Sequence, residues 1–330
     1  MKIISIIITI SSLFCILLCG CNKKEENFNE DIFAENPFDV HNTAITYEFG
    51  IENYDAIKRI IDYYDTINVD FTFSNKDVPC EVGTMIFVNG MVQPYNAENY
   101  ENITILPVSI GSNEKKIVSV KFNPSNLECG KTVPVHFISV LNPSFMPEKE
   151  SVSYGNNLKI LQLFPYKLTP SKDTLKSDCK ICNLYEKEII NQDFAEEYII
   201  YDDYGNIKQN RLENEVFLKP IIQNSDYDNC ISNHEIIKLQ AFGGKECIYR
   251  ISMFINNTLV ENTFDGMPYI DMQLNSNEIC SKKIILENIN MELEEYNHLS
   301  FIAIPMDNDF SYNASSIIRS YPVTLRKEEK

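Results

Sequence analysis

The chain has 330 residues and carries 47 Asp and Glu against 29 Lys and Arg, a formal net charge of −18. So acidic a surface repels nucleic-acid phosphates and anionic lipid headgroups, which excludes both as partners bound through charge. Trp is absent, Gly numbers only 11, and 18 Tyr and 19 Phe supply the aromatic mass; with Val, Ile and Thr in short alternating runs, this composition points to strands.

The chain opens with Lys2, an aliphatic run from Ile3 to Leu18, and then Leu18-Cys19-Gly20-Cys21. A short cationic start, an apolar core and a small residue before the cut define a secretory signal. The tetrapeptide resembles the lipobox of bacterial lipoproteins, with Cys19 in the variable place as its one unusual residue. That resemblance implies that residues 1–20 are a lipoprotein signal peptide, cleaved between Gly20 and Cys21, and that Cys21 carries a diacylglyceryl thioether. The mature chain is then expected at the cell membrane, facing the extracytoplasmic side, held by its lipid anchor. Two acyl chains anchor stably where one alone is marginal. The apolar run is short for a membrane span of about 20 residues, and Asn22-Lys23-Lys24-Glu25-Glu26-Asn27 follows it as a solvated tether. Residues 21–42, rich in Asn, Glu and Asp, read as the lipidated cysteine and a flexible stalk.

From residue 43 onward, length favours two domains over one, and the pattern repeats. Residues 53–65 place Ile57, Ile60, Ile61 and Tyr64 at helical spacing, so one short amphipathic helix is expected there. Ile67–Phe73 alternates strictly, and Thr84–Val88 leads into Asn89-Gly90, a hairpin-type turn. Ile103–Pro107, Ile117–Phe122, Val133–Leu141 and Leu158–Phe164 complete a first set of strands. Ser171–Asn191 is polar, lacks alternation and reads as a linker. A second set follows in Ile236–Phe242, Arg250–Asn257, Tyr269–Leu274, Ile284–Leu286 and Leu299–Pro305.

Phe87 and Phe254 stand 167 positions apart, as do Cys80 and Cys247; Phe137-Ile138-Ser139-Val140 and Phe301-Ile302-Ala303-Ile304 stand 164 apart. Several segments in one order at nearly constant offset indicate a duplicated unit. The expected fold is therefore mainly all-β. It comprises two tandem immunoglobulin-like antiparallel β-sandwich domains at 43–170 and 192–330, joined by a linker at 171–191.

Chemistry-bearing motifs are few. Seven cysteines follow Cys21, an odd number in a compartment that permits disulfides. Cys80 and Cys247 occupy matching places and read as packed thiols. Cys179-Lys180-Ile181-Cys182 is a CxxC, but it lacks the strand–helix context of a redox pair. Together with Cys230 and His234 it could supply four tetrahedral zinc ligands, across a gap of 47 residues that compact zinc modules do not use. Asp202-Asp203-Tyr204-Gly205-Asn206 and Asp307-Asn308-Asp309 offer oxygen donors without EF-hand spacing, and read first as turns.

No GxSxG, HExxH or glycine-rich phosphate loop occurs. No cofactor is implied. Tyr198, Tyr201 and Tyr204 cluster with acids, and tyrosine is favoured at interfaces because its apolar ring ends in a polar handle. The expected function is a lipid-anchored, non-catalytic binding or structural module for a surface ligand or protein. The alternatives are an extracellular carboxylate-dependent hydrolase or its accessory subunit, and a solute-binding receptor.

Overall fold

The computed structural model describes residues 46–76, 78–150, 153–174, 180–202, 204–222, 229–307, 310 and 315–328. The signal segment, Cys21 and the stalk lie outside them. Residues 44–330 form one compact unit.

The first half begins with β1 (Tyr47–Ile51), β2 (Ile60–Ile61), β3 (Ile67–Asn75) and β4 (Cys80–Val88). It continues through β5 (Met91–Val92), β6 (Tyr95–Ala97), β7 (Tyr100–Ile103), β8 (Val108–Ile110) and β9 (Glu114–Phe122). It closes with β10 (Val133–Leu141), β11 (Ile160–Gln162) and β12 (Tyr166–Leu168). An outer sheet runs β1-β3-β9-β6-β7, and an inner sheet runs β2-β12-β10-β4-β5, with β8 on β4 and β11 on β10. The first strand is split. β1 pairs antiparallel with β3 in the outer sheet, and β2 pairs parallel with the last strand, β12, in the inner one. This partition of strands between two sheets is that of an immunoglobulin-like sandwich.

The second half adds β13 (Ile181–Cys182), β14 (Glu186–Ile189), β15 (Ile199–Tyr201), β16 (Ile207–Asn210) and β17 (Val216–Ile222). After them come β18 (Cys230–Ser232), β19 (Ile236–Gly243), β20 (Cys247–Ile255), β21 (Thr258–Leu259) and β22 (Tyr269–Leu274). The last are β23 (Glu278–Ile285), β24 (Tyr296–Pro305), β25 (Ile318–Arg319) and β26 (Val323–Arg326). Its inner sheet runs β13-β22-β20-β24-β26-β18 and its outer sheet β14-β23-β19-β17. The split first strand recurs: β17 pairs antiparallel with β19, and β18 pairs parallel with the last strand, β26.

The registers match at the offsets read from the sequence. Ile86 faces Phe137 in the first half and Met253 faces Phe301 in the second, positions 167 and 164 apart. The tight turn recurs too, with Asn89 and Gly90 at φ of 50° and 73° and Asn256 and Asn257 at 50° and 60°. Positive φ at both central positions is the geometry a two-residue hairpin requires.

Each sandwich encloses its own apolar core, around Val69, Phe71, Ile86 and Phe137 in one and Ile237, Leu239, Met253 and Phe301 in the other. A third cluster joins Met85, Phe87, Ile138 and Val140 of the first inner sheet to Phe254, Ile302 and Ile304 of the second. The two inner sheets therefore pack face to face, giving four β layers. That packing on both faces explains why β4, β10, β20 and β24 are buried nearly throughout, where a sheet with one wet face would alternate between buried and exposed. Phe87 meets its repeat-equivalent Phe254 edge to face, with ring centroids 6.4 Å apart. Equivalent residues touching each other place a local two-fold between the halves.

Two expectations are corrected. Residues 53–65 form a turn instead of a helix. The Asp55 carboxylate accepts the N–H groups of Ile57 and Lys58, and Arg59 adopts a φ of 50°, which ends any helical course. Ile57 is 80% exposed, while Ile61 is pulled into the core by the pairing of β2 with β12. The segment 171–191 carries β13 and β14, which extend the inner and outer sheets of the second half.

Candidate binding surface

Between β14 and β17 the second half has an elaboration without counterpart among the described residues of the first. A short helix, Gln192–Glu196, is capped by Asn191, whose side chain accepts the Phe194 N–H at 2.9 Å. It delivers Tyr198 to the outer face of the outer sheet, where β17 and β19 present Phe217 and Phe242. Phe194, Tyr198, Phe217, Phe242 and Leu212 form a cluster separate from either sandwich core. The Tyr198 ring lies 4.7 Å from Phe217 and 5.4 Å from Phe242, both edge-on, an arrangement that adds to simple area burial. Lys219 donates to the Tyr198 hydroxyl, and its ammonium sits 5.0 Å from that ring and 5.7 Å from Phe242.

On this aromatic foot stands the hairpin β15–β16. Its loop is held by Asp202, whose carboxylate accepts the backbone N–H groups of Tyr204 and Asn206 and the Asn206 amide. Those bonds favour the ionised form and lower the Asp202 pKa. A carboxylate spent on a turn is the backbone reading of this motif.

The outward side of the hairpin is apolar. Tyr201 pairs with Ile207 across the strands, and the two are 50% and 61% exposed; Tyr204 at the tip is 90% exposed. Ile200, on the other face, is 42% exposed. Glu196, Glu197 and Glu213 lie exposed around it. Of the tyrosines singled out in the sequence, Tyr198 is a buried footing and Tyr201 and Tyr204 are surface. Ile200, Ile207, Phe217 and Phe242 were not singled out, although Ile-Ile-Tyr, a five-residue turn segment and Ile207 form a hairpin signature.

The zinc candidates are not brought together. Cys179 lies outside the described residues. Cys182 sits on β13 and Cys230 on β18, at opposite edges of the six-strand path of the inner sheet, roughly 20 Å or more apart at the usual strand spacing. The Cys182 thiol points to Asp265 at 3.6 Å, and His234 approaches Glu287 at 4.0 Å. Among the described residues no group of three metal-binding side chains assembles and no disulfide forms. Cys80 and Cys247 are both buried, and burial raises both thiol pKa values, as packed thiols require. Of the second oxygen-rich segment, Asp307 accepts from Ser315 at 3.0 Å, and Asn308 and Asp309 lie outside the described residues.

No family model matches the chain, and no curated protein matches it. Among solved structures, it is similar to the SafA pilin in complex with the SafB chaperone from Salmonella enterica. That match has 9% identity and a TM-score of 0.25, covering 87% of this chain and 98% of the other. The CsuC–CsuE chaperone–tip adhesion subunit complex of Acinetobacter baumannii matches at 11% identity and a TM-score of 0.22, covering 86% and 100%. The CARDB domain of the PF1109 protein from Pyrococcus furiosus matches at 12% identity and a TM-score of 0.22, covering 38% and 87%. At such TM-scores these likenesses carry no statement about this chain, and its fold class rests on its own strand order.

Proposed function

We propose that the protein is a lipid-anchored, extracytoplasmic binding module, tethered through Cys21, that engages a protein partner with the tip of the β15–β16 hairpin. The observation that carries this reading is the exposure of Tyr201, Tyr204 and Ile207 on a hairpin whose foot is locked by aromatic packing. An unsupported loop would collapse such side chains onto the body. Here Tyr198 and Phe194 fill the apolar face beneath and leave the tip outward. Tyrosine anchors at a rigid site cost little conformational entropy on binding. The glutamates flanking the base of the hairpin and the net charge of −18 select a partner with an apolar pocket rimmed by Lys and Arg.

The test places a photo-crosslinking residue at Tyr204, and separately at Ser74 as a control, in intact cells. A discrete adduct at 204 that is absent at 74, and lost with Tyr201→Ser and Ile207→Ser, supports the reading. Equal labelling at both positions, or no adduct at 204, sinks it. The anchor is checked independently: Cys21→Ser moves the protein from the membrane to the soluble fraction.

A further inference from the structure

The seam between the two inner sheets differs in kind from the sandwich cores. Those cores are mainly aliphatic and aromatic, with small hydroxyls such as Thr84 and Ser139 among their few buried polar groups. The seam joins an apolar cluster to two buried histidines and two arginines. His136, on the seam face of β10, donates to the Pro305 carbonyl of the other half, and its Nε2 meets no partner. His298, on the seam face of β24, is fully buried, and neither ring nitrogen has a hydrogen-bond partner among the described residues.

Arg319, on β25, is satisfied by neutral acceptors alone. It donates to Ser300 Oγ at 2.9 Å, to Asn257 Oδ1 at 2.9 Å and, across the seam, to the Leu158 carbonyl at 3.1 Å. Among the described residues no carboxylate pairs with it. Tyr154 of the first half bonds Thr324, the cross-strand neighbour of His298, at 3.0 Å. Arg250, held by Asp271 at 2.8 Å, donates to the Asn89 carbonyl across the seam at 2.9 Å. Lys167, on β12 beside Pro134, extends over the Phe310 ring at 5.0 Å.

The charged groups closest to the two imidazoles are therefore cations; the seam's anions are already occupied, Asp271 by Arg250 and Glu150 of the first half by Arg326 of the second. A proton added to His298 would meet Arg319 with no anion to share it. Burial holds both histidines neutral, His136 at a pKa of about 4 and His298 at about 3. Of the described histidines, only His234 lies away from the seam.

We propose that this seam is an acid-sensitive joint, at which the two sandwiches part when the medium acidifies while each sandwich stays folded. The seam polar groups are the ones that gain most from water, and the unpaired ring nitrogens and the uncompensated guanidinium already weaken it. Among the described residues the sandwich cores contain no histidine, so they do not share the sensitivity.

The experiment uses the mature chain without lipid and follows its radius of gyration by small-angle scattering beside its far-UV circular dichroism, from pH 7.5 to 3.5. The expected result is an expansion beginning below about pH 6 with the β signal retained. The double variant His136→Gln, His298→Gln keeps polar side chains, cannot take up the proton, and is expected to stay compact over the same range. If those substitutions prevent folding, single His298→Asn replaces them, expected to shift the expansion to lower pH. Coincident loss of compactness and β signal would overturn the proposal, as would no expansion, or an expansion unchanged in the histidine variants.

Discussion

At single positions, the close approach of the two halves sets what is tolerated. Gly90 has a φ of +73°, and a Cβ there would lie 2.4 Å from the Met306 sulfur and 3.2 Å from Arg250. Gly130 has a φ of +74° with nothing within 4 Å. Both bear the left-handed cost, about 1–2 kcal/mol for an L-residue, but only Gly90→Ala must also displace the seam. Urea denaturation should rank Gly90→Ala as clearly more destabilising than Gly130→Ala. Arg250→Met removes one partner of a largely desolvated pair, side chains 7% and 21% exposed, and strands Asp271. Its expected cost is about 3–5 kcal/mol, and adding Asp271→Asn should recover part of it.

At the scale of elements, the hairpin separates stability from binding. Phe242→Ala empties the foot and should cost about 3–5 kcal/mol, with faster proteolysis within residues 199–210. Tyr201→Ser with Ile207→Ser touches only exposed side chains and should leave the melting temperature within the noise of surface substitutions, about 0.5 kcal/mol each, while abolishing partner capture. The strands of the repeat were legible because alternation and the Asn-Gly turn are local signals, and β3, β4, β9 and β10 all contain the segments read from them. The segment 53–65 was misread because its apolar spacing suits a helix, yet Asp55 offers its backbone a competing turn and β12 offers Ile61 a strand partner. β13 and β14 were illegible because Glu186–Ile189 is exposed throughout. Their strand character comes from an edge waiting in the folded sheet. Of the candidate surface, Tyr201 and Tyr204 were visible in the sequence, and the reason they stay outside was not. That reason is Tyr198 meeting Phe217 and Phe242, residues distant in sequence on β17 and β19.

Across the whole molecule, the buried histidines set the pH response. Their folded pKa values, about 4 and 3, lie below the ordinary value near 6.5. Above that value neither state binds the proton and stability is level. As pH falls through about 6.5 towards 4, the unfolded chain takes up protons that the native chain refuses, so stability drops with acidification. By pH 4.5, about two units below the ordinary value, the loss is on the order of 2–3 kcal/mol per histidine, and chemical denaturation at pH 7 and pH 4.5 measures it. His136→Gln and His298→Gln should flatten the difference.

The amino-acid sequence by itself determined the β class, the duplication, the turn at Asn89-Gly90 and the expectation of an anchor at Cys21, because each is written in neighbouring residues or in a repeat of them. Only the tertiary structure decided that the two inner sheets close on each other, that Cys182 and Cys230 stand on opposite edges, and that one tyrosine of three is footing while two are surface. The physical reason is common to all three. Burial on a second face, edge position and exposure are properties of what packs against a residue. A strand's alternation records only which of its faces is dry, never which partner keeps it so.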